Sequence, residues 1–135
     1  MSTKQYHGSC MCGKVKYEAD LDFSNGTGKC NCSTCIKLRL WFVRTRPTDF
    51  RLISGENDLT DYIHKSDWHH QLFCKHCGVH AFHRLNREQI GGEWYSIAVN
   101  TLDDIEPVEM ASWEINYYDG KNNNYRNQPE HKEIY

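Results

Sequence analysis

The placement of seven cysteines constrains this chain more than any other feature of it. They fall into three tight groups: Cys10-Met11-Cys12, Cys30-Asn31-Cys32-Ser33-Thr34-Cys35, and Cys74-Lys75-His76-Cys77. Thiols one residue apart close strained rings when oxidised, and the count is odd. The opening Met1-Ser2-Thr3-Lys4-Gln5 lacks the apolar core of a secretory signal. A disulfide framework is therefore disfavoured, and C-x-C and C-x-x-C spacing reads instead as thiolate ligation of zinc.

Seven cysteines divide most naturally as four plus three. The pairs Cys10/Cys12 and Cys74/Cys77 stand 61 residues apart, and two such clips make one closed tetrahedral site. It would staple the N-terminal strand to the middle of the chain. Gly13 and Gly78 each follow the second cysteine of a clip, where a positive φ lets the backbone turn around sulfur. Cys30, Cys32 and Cys35 can all face a second metal, which gives two zinc ions per chain. A His, Asp, Glu or water completes that second sphere, or the position is open to a ligand; His80 and His64 are the candidate protein ligands. A division in which the trio borrows from a pair remains, and spacing alone does not choose.

The rest of the chain is rich in strand signals. Apolar and charged residues alternate through Lys14-Val15-Lys16-Tyr17-Glu18-Ala19-Asp20, as in a half-buried strand. Residues 41–46, 50–53, 59–64, 71–73, 94–99 and 113–117 are further strand candidates, punctuated by turns such as Asn25-Gly26 and Asp119-Gly120. The single helix expected is a short one near Cys35 to Arg39. Trp41, Trp94 and Trp113 read as core, and Trp68, in a polar stretch, as partly exposed near a ligand. Residues 1–121 read as one mainly β, zinc-stapled domain, and 122–135 as a polar C-terminal surface tail. Net charge is −2, which disfavours a nucleic-acid partner. No apolar run is long enough to cross a bilayer. The chain reads as soluble and cytoplasmic.

Several segments resemble the glutathione-dependent formaldehyde-activating enzyme family, which also includes centromere protein V. His7-Gly8-Ser9-Cys10-Met11-Cys12-Gly13-Lys14-Val15-Lys16-Tyr17-Glu18 is similar to the family's opening, and Cys30 to Cys35 to its second motif. Phe50 to Glu56 with Tyr62, and Phe73 to His80, resemble its middle and third segments. Val99 to Asp104 and Asp119 to Asn122 resemble two later signatures. The resemblance implies a Mss4-like β-tent of short antiparallel sheets. It also implies Cys10, Cys12, Cys74 and Cys77 on a structural zinc, with Cys30, Cys32 and Cys35 on a catalytic one. Met11 and Val79 depart from the family's usual residues but touch no cysteine ligand.

By the same resemblance the reaction is that of a carbon–sulfur lyase or adduct-forming enzyme. A small thiol such as glutathione would add to formaldehyde to give S-hydroxymethylglutathione, or the reverse. A zinc-stapled module binding protein or cytoskeleton, and a metal-handling protein, are the alternatives. Glutathione is anionic, so its pocket should be basic. Lys37, Arg39, Arg44, Arg46 and Arg51 stand against the single acid Asp49 in that stretch. Arg44 and Arg46 share a strand face by alternation and are the expected carboxylate-binding pair.

Overall fold

The computed structural model describes residues 3–65 and 67–135; Met1, Ser2 and Ser66, the last within the polar stretch before Trp68, lie outside it. Alternation builds the first sheet. In β2 (Lys16–Leu21), Tyr17, Ala19 and Leu21 turn inward and are buried, with Val15 just ahead of them. β2 sits between β1 (Lys4–Ser9) and β5 (Phe50–Ser54) in a three-stranded antiparallel sheet.

The second sheet has seven strands. β3 (Thr27–Cys30), β4 (Phe42–Thr45), β6 (Leu59–Tyr62), β7 (His69–Cys74), β8 (Phe82–Arg87), β9 (Gly92–Ala98) and β10 (Ile115–Tyr118) lie in the order β10-β3-β4-β9-β8-β7-β6. β10 runs parallel to β3, and the other neighbours are antiparallel. Side chains alternate across a strand, so this sheet has two different faces. Val43, Phe82 and Ile97 join Tyr17, Ala19 and Leu21 in the core. Tyr17 stacks on Phe50 at 5.7 Å and Phe50 on Tyr95 at 4.1 Å. Fully buried Leu21, Ile97 and Val99 each contribute about 1.5–3 kcal/mol. Cys30, Phe42, Arg44, His83, Leu85 and Ser96 point to the opposite face and line a cavity there.

The mainly β expectation holds: among the described residues ten strands form two sheets, with two short helices. The first helix, α1 (Ser33–Leu38), is where the sequence put it. The second, α2 (Pro107–Ser112), corrects the reading of a single helix; Pro107 opens it in its first turn, and none of its residues is buried. Strands β1, β3 and β8 lacked local signals. Trp41 and Trp113 pack against the core while only partly buried, and Trp94 lies under the Arg46 guanidinium. Segment 122–135 runs over the surface and is tied back at its end. The Tyr135 hydroxyl donates to the Tyr118 carbonyl at 3.0 Å, and Arg39 donates to the main-chain oxygens of Ile134 and Tyr135. No helix among the described residues is long and apolar enough to cross a membrane.

Candidate functional site

All seven cysteines are free and gather into two clusters. Cys10 follows β1, Cys74 ends β7, and the two knuckles bring Cys12 and Cys77 against them. The four sulfurs lie within 4.8 Å of one another, with Cys10–Cys12 at 3.6 Å and Cys12–Cys74 at 3.7 Å. A tetrahedral zinc with sulfurs at ~2.3 Å separates them by roughly 3.8 Å, so the donor set fits zinc closely. Gly13 and Gly78 hold φ of 81° and 78°, the sharp turns that glycine permits. Backbone N–H groups of Cys12 and Val79 pull the Cys77 thiol down to about 6, so this cluster favours a thiolate even without a cation.

The second cluster is Cys30, Cys32 and Cys35, again with sulfurs within 4.8 Å. Cys30 ends β3. Cys32 caps α1 through its sulfur, which accepts the Cys35 N–H at 3.5 Å, and Cys30 Sγ accepts the Cys32 N–H at 3.4 Å. Hydrogen bonds from the Cys30 and Cys35 thiols, then from backbone N–H groups, hold the Cys32 thiol far below its ordinary range. Cys30 and Cys32 push the Cys35 thiol far up, and Cys32 raises Cys30. The three thiols therefore ionise unequally, Cys32 most readily, and a bound cation would stabilise their thiolates.

The trio is braced from a segment distant in sequence. The Asn31 amide donates to Asp119 at 2.9 Å and its oxygen accepts the Lys121 N–H at 3.0 Å. Gly120 packs directly on the sulfur: a Cβ there would lie 2.6 Å from Cys30 Sγ and 3.0 Å from the Tyr125 hydroxyl. Neither candidate fourth ligand joins this cluster among the described residues. His64 bonds to Tyr62 at 2.9 Å on the exposed surface, and His80 bonds to His83. Residues 5–118 match the pattern of the glutathione-dependent formaldehyde-activating enzyme family.

The chain belongs to that family. It is also similar to a crystal structure of a Rhodobacter sphaeroides protein, with a TM-score of 0.68 and 26% identity over 81% of this chain and 98% of the other. Membership ties the chain to glutathione- and formaldehyde-related chemistry, and its two cysteine clusters are able to hold zinc.

The clusters differ in their surroundings. A cavity of about 750 Å³ opens beside Cys30, Cys32 and Cys35, and the four-cysteine cluster does not line it. Arg44 and Arg87 bring positive charge to its wall, Phe42, Leu85 and Tyr118 apolar surface, and Trp68 an aromatic face with the Arg87 guanidinium 4.9 Å above it. No carboxylate is among the described residues lining it. Trp68 is where its polar context suggested, half-buried beside a cavity. Arg87, His69 and His83 were not singled out as site residues.

The structure separates the expected arginine pair. Arg46 lies one residue beyond the end of β4 but keeps an extended backbone, and continuing the β4–β9 register sets it opposite Trp94 on the same face as Arg44. The Arg46 guanidinium stacks 3.5 Å over Trp94 and donates to the carbonyls of Gly91 and Glu93, away from the cavity. Arg51 is engaged by Glu18 at 2.7 Å and Asp20 at 3.1 Å. Of the five basic residues between positions 37 and 51, Arg44 alone lines the cavity among the described residues.

Proposed function

We propose that the chain joins a small anionic thiol of the glutathione class to formaldehyde, or splits the same carbon–sulfur bond. The observation that carries this reading is that a cavity of about 750 Å³ opens on the incomplete cluster of three thiols, while the complete cluster of four does not line it. When held by Cys30, Cys32 and Cys35, zinc supplies a position at which a small thiol ionises near neutral pH. Arg44 and Arg87 bind the carboxylates of the thiol and orient it, as charge-assisted hydrogen bonds to a carboxylate do. Phe42, Leu85 and Tyr118 keep water from the reacting atoms. In the forward direction the thiol S–H breaks, a C–S bond forms at the aldehyde carbon, and the carbonyl becomes a hydroxyl. Arg46 has no part in this reading, because it does not line the cavity and its Nη1 donates to backbone carbonyls instead.

Calorimetric titration of zinc-loaded protein with glutathione tests the proposal. Arg44→Ala should weaken binding by about 1.5–3 kcal/mol, roughly ten- to a hundredfold, and leave mercaptoethanol binding unchanged. Equal dissociation constants for glutathione would remove Arg44 from the site. A protein with both zinc ions that binds glutathione but turns over no formaldehyde would be a binding module instead.

A further inference from the structure

Outside the cysteines, the described residues with ordinary acid–base groups near neutrality at this cavity are histidines, and they are not isolated. His69 Nε2 lies 2.9 Å from His83 Nδ1, and His83 Nε2 lies 2.9 Å from His80 Nδ1. Strand register accounts for the first contact. His69 pairs with Leu85 across β7 and β8, so His83, two residues along, is its diagonal neighbour on the cavity face. His80 precedes β8 and packs on Phe73, ring centroids 5.0 Å apart.

The central ring sets a direction. His83 is 2% exposed and uses both nitrogens. A neutral imidazole donates through one nitrogen and accepts through the other, so all three rings must point their N–H groups the same way. Among the described residues no buried side-chain nitrogen lacks a partner. His69 lines the cavity at one end of this chain of rings, and His80, only partly buried and just past the Cys74–Cys77 knuckle, forms the other. A proton entering at one end and leaving at the other reverses every N–H in the chain.

We propose that His69, His83 and His80 form a proton wire between the three-cysteine cavity and the outer surface. The proposal rests on the thiol–aldehyde reading above for its purpose, though not for its geometry. In that reaction the thiol proton leaves sulfur and ends on the carbonyl oxygen, so no net proton is made. A proton leaving sulfur at His69 passes through His83 and His80 to bulk water, and the reverse passage returns one to the carbonyl oxygen. Neutral rings suit this role, because a permanent imidazolium would trap the proton. Burial lowers all three; His69 and His80 add to the effect on His83, and Arg44 and His70 oppose charge on His69 while Cys32 favours it.

The test uses full-length, zinc-loaded protein with His80→Gln and His83→Gln, which keep a hydrogen-bonding amide but cannot relay a proton. Without any thiol, exchange of the His83 ring proton with water is followed by nitrogen-15 NMR. The wire predicts severalfold slower exchange in His80→Gln and recovery on adding free imidazole. Unchanged or faster exchange in that variant overturns the wire, since a merely structural histidine exchanges by local opening. With glutathione added, release of the thiol proton is followed by an indicator dye. His80→Gln and His83→Gln should slow it on the order of a hundredfold, with zinc content and equilibrium affinity unchanged. Release as fast as wild type in both variants also overturns it. If the wild type binds no glutathione, the proposed reaction fails while the exchange measurement still decides the wire. If His83→Gln fails to fold, the half-exposed His80 position decides it alone.

Discussion

Replacing Cys74 should cost far more stability than replacing Cys32, although each removes one thiol from a cluster. Cys74 is fully buried at the end of β7, and its cluster joins two knuckles with 61 residues between them. Loop-closure entropy for a cross-link of that span is about 4 kcal/mol. The trio spans six consecutive residues, for which the same relation gives about half. Part of that smaller contribution is already supplied by β3, α1 and the Asn31 bridges to Asp119 and Lys121. Against a total stability of ~5–15 kcal/mol, losing the long-range staple lowers the melting temperature by roughly 10–20 °C in a domain of this size. Thermal unfolding of zinc-loaded wild type, Cys74→Ser and Cys32→Ser, each with metal analysis, measures the contrast. Cys74→Ser should be strongly destabilised or insoluble, and Cys32→Ser folded with one zinc. Melting temperatures within a few degrees of each other would refute the assignment of the staple to the four-cysteine cluster.

Two further outcomes are expected. Gly120→Ala keeps an allowed backbone but drives a methyl group towards Cys30 Sγ; metal analysis should show zinc falling towards one per chain with the fold intact, and two zinc ions with unchanged glutathione affinity would contradict the close packing. Acid should act through His83, which burial and then His69 and His80 push down to about 3 from 6.5: the unfolded chain takes up a proton below about pH 6.5 that the folded chain refuses. Stability is therefore complete above that pH and falls as pH drops towards 3, by about 2 kcal/mol at pH 5, and urea unfolding of His83→Gln beside wild type should show the smaller loss in the variant.

What could be read from the sequence was what is encoded locally. Tyr17, Ala19 and Leu21 alternate with polar residues and fold as that pattern dictates. Each cysteine group is local and so reads as a ligand set, but which groups share a site, across 61 residues, comes from the family resemblance and not from spacing; the resemblance to residues 7–122 agrees with the matched span. Strand β3, by contrast, is Thr27-Gly28-Lys29-Cys30, which has little β character of its own. It exists because β10 returns parallel beside it and Phe42 and Tyr118 fill the space above Gly28. The cavity is hidden for the same reason, since its walls come from strands paired across the whole chain. Arg46 shows the limit of alternation: it follows Arg44 on one face, but its cross-strand neighbour Trp94 and the carbonyls of Gly91 and Glu93 engage it outside the cavity.

The hairpin of β7 and β8 links the two halves of the molecule's chemistry. Cys74 and Cys77 sit at its turn, His80 just beyond them, and His69 and His83 on its stem. Two ring–ring contacts of 2.9 Å demand a turn that does not flex, because imidazoles a few tenths of an ångström further apart no longer share a proton well. A zinc held by Cys10, Cys12, Cys74 and Cys77 would meet the demand, and would also hold β1 against the end of β7. Loaded in this way, the four-cysteine site would do more than staple the fold: by fixing the turn, it would set the spacing of the histidines that lead to the cavity. The three-cysteine site needs no such rigidity from its own short helix, since Asn31, Asp119 and Gly120 already brace it.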